Sequence, residues 1–168
     1  VMGGNDVLSS VVATQIDLHA RYGGVVPEIA SRAHVEAMNV VIRQAVLQSG
    51  VPIERIDAVA ATVGPGLIGA LLVGVAAAKS VALVLDKPFI GVNHLEAHLY
   101  AALLDDPHVE FPMLVVLVSG GNTLFVEMRG HGDFSVIGQT IDDAAGEAFD
   151  KVARFLDLGH PGGPAIDR

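Results

Sequence analysis

Apolar positions along this chain switch between two rhythms, and the switches predict its elements. Runs rich in β-branched residues, bounded by turn signals, predict strands at Val7–Ile16, Ile56–Val63, Phe89–Val92, Met113–Val118, Leu124–Met128 and Phe134–Ile137. Val35, Met38, Ile42, Ala45 and Val46 recur at helical spacing, and Gly50 ends that run. Leu67–Leu85 carries Lys79 as its one charge and is long enough to span a bilayer. Its place between two strands predicts instead a helix buried against a sheet in a βαβ unit. Leu95–Leu104 reads as another helix. A last one follows Thr140 and ends near Gly159, with Thr140 or Asp142 as cap and Ala145, Phe149, Val152, Ala153 and Leu156 as its apolar face. Met113–Val118 is apolar throughout, which predicts a strand buried on both faces. The polar, proline-bounded stretch from Asp105 to Pro112 is the candidate domain boundary, separating 1–110 from 111–168.

Three motifs on these elements carry candidate chemistry. The stretch Gly91-Val92-Asn93-His94-Leu95-Glu96-Ala97-His98 leaves a strand and enters a helix. A helix starting at His94 puts His94 and His98 one turn apart on one face, where two neutral imidazoles can share a metal ion. Two capping or buried histidines are the structural alternative. Glu96 lies off that face, so the zincin arrangement is not met and a metalloprotease base is missing. Gly64-Pro65-Gly66-Leu67-Ile68-Gly69 matches the dinucleotide pattern after a strand, but the acidic residue expected at the end of the next strand is replaced by Asn93-His94. Those glycines are expected to serve turn and packing geometry. Ser119-Gly120-Gly121-Asn122-Thr123 joins two strands and suits a tight hairpin, either an ordinary turn or one whose N–H groups face a phosphate. Asp150 falls beside an apolar helix face, where a carboxylate needs a partner or ligand.

Composition narrows these options. Across 168 residues there is no cysteine, which removes disulfides, thiolate catalysis and cysteine–zinc sites and agrees with a cytoplasmic setting. A hydrophobic content of 51% can fill a core. A net charge of −9 argues against a broad basic surface for nucleic acid on this chain alone. No stretch near Val1 has the form of a signal peptide, and the first residue is not methionine.

Several stretches together resemble one family. They are His19-Ala20-Arg21-Tyr22-Gly23-Gly24-Val25-Val26-Pro27-Glu28 through His34, Gly64-Pro65-Gly66 through Gly74, and Asn93 to His98. Val118 to Thr123 and Asp142 to Lys151, on to His160-Pro161-Gly162-Gly163-Pro164, continue the series. In this order they resemble the tRNA N6-threonylcarbamoyladenosine synthase (TsaD) family, formerly classed as sialoglycoprotein endopeptidases, over essentially the whole chain.

The resemblance implies an α/β, actin-like ATPase fold of two lobes, incomplete here at both ends. Residues 1–110 would belong to a first lobe lacking its N-terminal strands, and 111–168 to the first part of the second. It implies a transferase that moves a threonylcarbamoyl group from threonylcarbamoyl-adenylate to N6 of the tRNA adenosine beside the anticodon. His94 and His98 match its metal ligands, for one divalent metal per subunit, iron (Fe2+) ahead of zinc. Leu117, Val118, Ser119, Gly120 and Gly121 match its adenylate-binding loop, and Asp150, Gly163 and Asp167 match positions that contact the nucleotide. It further implies, as bacterial partners, a paralogous actin-like subunit and a small ATPase, with no membrane. Asn122 stands where bacterial members usually carry histidine. The third metal ligand, an aspartate, and a further nucleotide-contacting asparagine have no counterpart here, so the chain is expected to be an internal fragment, inactive alone. Competing readings are a catalytically silent paralogue serving as a dimer scaffold, which would lack the histidine pair, and an actin-like small-molecule kinase, which would not need it.

Overall fold

The computed structural model describes residues 1–22, 24–106, 108–159 and 161–167. Gly23, Pro107 and His160, parts of the stretches singled out above, lie outside the described residues, as does Arg168. The chain divides into two compact units, Val1–Tyr100 and Ala101–Arg168, ahead of the proline-bounded stretch where composition put the boundary.

The first unit opens with a short antiparallel hairpin, β1 (Met2–Gly3) and β2 (Asp6–Val7). The expected strand Val7–Ile16 does not form beyond Val7. Residues 8–15 are irregular, and α1 (Ile16–Ala20) takes His19 out of the expected loop. β-Propensity records fit to a paired sheet, and no neighbouring strand pairs with this run among the described residues. α2 (Pro27–Ser49) starts on Pro27, whose missing N–H has no intrahelical partner there, with Val26 extended before it. It stops at Gly50, which takes the left-handed conformation (φ 69°) and sends its N–H to the Leu47 carbonyl.

β3 (Val59–Gly64) begins later than the apolar run: a single 3-10 turn, Ile53–Arg55, follows Pro52, and the pairing with the next strand starts only at Val59. β3 pairs in parallel with β4 (Phe89–Asn93), and α3 (Ile68–Leu85) is the crossover, so the βαβ unit is present. α3 packs on β3 and on α2. A side chain at Gly69 would collide with the Ser31 hydroxyl, which donates to the Pro27 carbonyl (2.8 Å). The third glycine of the G-x-G-x-x-G pattern therefore serves helix–helix approach rather than the sheet. Burial of α3 is narrower than expected: Ala78 and Ala82 are covered, whereas Leu83 and Val84 are each 82% exposed. By length and composition this helix could also cross a membrane.

Helix α4 (His94–Leu99) follows β4, and α5 (Ala101–Asp105) opens the second unit. The single helix expected from Leu95 to Leu104 is thus broken at Tyr100, whose φ −84°, ψ −7° lies toward the bridge region. Apolar spacing survives such a break and cannot report it.

The second unit is built on an antiparallel meander, β5 (Met113–Val118), β6 (Thr123–Gly130) and β7 (Asp133–Gln139), in that order. Met113 faces Met128, Val115 faces Val126 and Leu117 faces Leu124. Leu117, Val126 and Met128 are buried with Ala144 and Ala153. The alternate residues of β5, Leu114, Val116 and Val118, stay more than half exposed. β5 is therefore covered on one face, not on both, since no second layer lies over the other face among the described residues.

Two helices complete this unit, α6 (Ala145–Phe155) and α7 (Gly162–Ile166), packed on each other. α7 takes in Gly162 to Pro164 of the proline- and glycine-rich stretch singled out above. On α6 the covered residues are small: Ala153 is fully buried, while Phe149, Val152 and Leu156 of the expected apolar face are about half exposed.

Met128→Ala in the 168-residue chain should cost about 2–5 kcal/mol, a fully buried side chain being lost without collapse of the sheet. Val116→Ser on the open face should stay within about 0.5 kcal/mol. Urea denaturation of both variants checks the assignment of faces; equal losses would contradict it.

Candidate functional site

The histidine pair stands on a short helix with a defined start. Asn93 ends β4 in an extended conformation, and its Oδ1 accepts from the N–H groups of Leu95 (2.9 Å) and Glu96 (3.3 Å). The helix therefore begins at His94. Leu99 is buried and Leu95 partly so, one turn apart, which holds that stripe inward and leaves His94 and His98 exposed. Their ring centroids lie 4.5 Å apart at 68°. Two adjacent, solvent-facing imidazoles are a donor set that iron or zinc accepts. Among the described residues no third histidine or carboxylate joins them. The pair fits one part of a metal site, and further ligands would come from outside the described residues.

The second unit gathers most of the other candidate residues. β5 and β6 meet at Ser119–Asn122, where the Ser119 N–H donates to the Asn122 carbonyl (2.8 Å) and the Asn122 N–H to Ser119 Oγ (3.0 Å). Those bonds leave the N–H groups of Gly120 and Gly121 without partners among the described residues, both exposed, with open space where side chains would be. Leu117 is buried, so it supports this turn from below, and Val118 lies on the open sheet face.

The turn rests on the start of α6. Gly146 donates to the Ser119 carbonyl (3.2 Å), and a Cβ there would lie 2.9 Å from Gly120 Cα. Neither Thr140 nor Asp142 caps the helix. Thr140 Oγ1 donates instead to the Asp143 carbonyl (2.6 Å), and Thr123 Oγ1 accepts from the Ala145 N–H (2.8 Å). Asp150, one turn on, accepts from the Gly162 N–H (2.6 Å), a short charge-assisted bond that ties α7 to α6. Gly163 follows on α7, and Asp167 is exposed just after it. Lys151 bonds Asp143 (2.6 Å) and Glu147 (3.1 Å), which raise its pKa above the usual lysine value, Asp143 having the larger effect.

The structure thus brings Ser119, Gly120, Gly121, Asp150 and Gly163 into one connected group. Sequence reasoning did not find the roles of Thr123, Gly146 and Gly162. A glycine in the first turn of a helix, as at Gly146, was the available sign of close backbone approach. Thr123 left no sign, because its partner lies far along the chain.

These are the features of an α/β protein with an exposed histidine pair in one unit and an exposed two-glycine turn in the other. The profile of the TsaD family, described as tRNA N6-adenosine threonylcarbamoyltransferase, matches residues 6–168, and the chain belongs to this family. Proteins of that name from Symbiobacterium thermophilum, Picosynechococcus sp. and Clostridium perfringens are 58%, 56% and 54% identical over the whole chain, which covers 49%, 47% and 50% of them. The chain thus spans about half the length of the curated relatives it matches. Among solved structures, YeaZ from Pseudomonas aeruginosa aligns with a TM-score of 0.45 at 19% identity, over 65% of this chain and 52% of that one.

Gly162→Ala should destabilise the second unit by about 1–3 kcal/mol, because the new Cβ would run into the Phe149 carbonyl and Asp150 Cα. Gly163→Ala, where a Cβ meets nothing within 4 Å, should stay within about 0.5 kcal/mol. Chemical denaturation of the pair reads the difference directly.

Proposed function

We propose that this chain supplies metal-ligating and nucleotide-holding parts of a tRNA-modifying transferase. The reaction moves threonylcarbamoyl from threonylcarbamoyl-adenylate to N6 of the adenosine beside the anticodon. Family membership across residues 6–168 supports the reading. The observation that carries it is the outward-facing His94/His98 pair, which the silent-paralogue and kinase alternatives would not need.

The chemistry asks mainly for placement. The adenosine amine attacks the carbamoyl carbon, a C–N bond forms, the bond from that carbon to the phosphate oxygen breaks, and AMP leaves while the amine proton passes to solvent. An activated acyl donor held against an amine needs no covalent link to the protein. The unpartnered N–H groups of Gly120 and Gly121 would take phosphate oxygens, as donors fixed in advance where negative charge sits. Asp150 would keep the Gly162–Gly163 segment beside the ribose and base, with Asp167 nearby.

His94 and His98 would hold one divalent metal, iron (Fe2+) ahead of zinc, with a third ligand from outside this chain. Bound there, the metal would supply Lewis acidity toward the donor's oxygens. The net charge of −9 fits a tRNA surface shared with partners, a paralogous actin-like subunit and a small ATPase, in the cytoplasm.

In the full-length protein, His94→Ala should abolish metal retention and tRNA modification together. Full modification activity in that variant would remove the metal role. Asp150→Ala should weaken adenine-nucleotide binding and leave metal content intact; unchanged affinity would take Asp150 out of the site.

A further inference from the structure

The structure assigns Thr123 a positioning role: its hydroxyl caps α6 and clamps the Ser119–Asn122 turn onto that helix. The inference rests on the nucleotide reading of the turn. Four unpartnered N–H groups begin any α-helix and need acceptors. On α6 the residue at the cap position is Ala144, which has no side-chain oxygen to offer. The first N–H, of Ala145, goes to Thr123 Oγ1 (2.8 Å), and the second, of Gly146, goes to the Ser119 carbonyl (3.2 Å). Both acceptors belong to the hairpin, not to the segment leading into the helix.

Two consequences follow for a bound anion. The first two donors of α6 are turned onto the hairpin, so this helix start offers the phosphate neither of them. Within the turn, Ser119 and Asn122 also hold each other's N–H groups, which leaves Gly120 and Gly121 as the donors that can face it. The direction of those two N–H groups is set by how the turn sits on α6. Gly146 permits the approach, since a Cβ there would meet the Ser119 and Gly120 backbone. Thr123 holds it, through the one side-chain hydrogen bond to the start of the helix among the described residues. The Thr123 carbonyl is tied as well, accepting from the Thr140 N–H (3.0 Å), so the residue is anchored in the sheet while its side chain reaches the helix.

The test compares Thr123→Val, which keeps the β-branched shape and loses the acceptor, with Thr123→Ser, which keeps the acceptor. Both are made in the full-length protein and probed with AMP and by amide hydrogen exchange. Thr123→Val should speed exchange at Ala145 and Gly146 and weaken AMP binding by about fivefold, the factor that a typical N-cap energy corresponds to. Metal content should not change. Thr123→Ser should restore both readouts to within about twofold, since Ser and Thr cap comparably. Unchanged exchange in Thr123→Val overturns the clamp. Faster exchange with unchanged AMP affinity overturns its part in nucleotide placement. Absence of AMP binding in the unmutated protein overturns the nucleotide reading itself and the proposal with it.

Discussion

In the second unit, two glycines let backbone approach backbone where a Cβ would stand between elements. At Gly146 the hairpin turn presses on α6, and at Gly162 the start of α7 presses on the same helix at Phe149 and Asp150. Any side chain would push these segments apart. Because they touch, the hydrogen bonds from Ala145 to Thr123 and from Gly162 to Asp150 can form, and two helix starts find acceptors in other elements. The face that α6 turns inward is therefore made of small residues, and its large apolar side chains sit at the margin. The candidate nucleotide face depends on this contact more than on any single polar residue.

The histidine pair is placed by a different device. Asn93 sets where α4 begins, and Leu95 with Leu99 sets how it is rotated. One side of a helix of barely two turns goes inward, and the adjacent side, with His94 and His98, goes out. The carboxylate of Glu96 does not enter this pair, in keeping with its position off the shared face.

Two apolar surfaces stand open among the described residues, the outer side of α3 and the second face of β5. Apolar area in water is unfavourable by roughly 25 cal/mol per Å² relative to burial. Runs such as Leu67–Leu85 and Met113–Val118 read as buried when their sequences are taken alone, because their composition favours burial on every side. Hydrophobicity records what a segment would favour, not whether a neighbour is present to provide it.

The sequence by itself determined the elements that depend on local rules. Pro27 and Gly50 bound α2, the strand–helix–strand order from β3 to β4 defines the parallel crossover, and the two-glycine turn joins β5 to β6. The one-turn spacing of His94 and His98, and the family resemblance over the whole chain, were legible in the same way. Tertiary structure alone decided the rest. Residues 8–15 had strand propensity but no strand to pair with, so they stayed irregular. Thr123, rather than Thr140 or Asp142, became the cap of α6, because a hydrogen bond between residues so far apart follows from packing and not from spacing. Asp150 found its partner in the Gly162 N–H for the same reason. Periodicity reads the face a segment presents; only the folded chain determines what stands opposite that face.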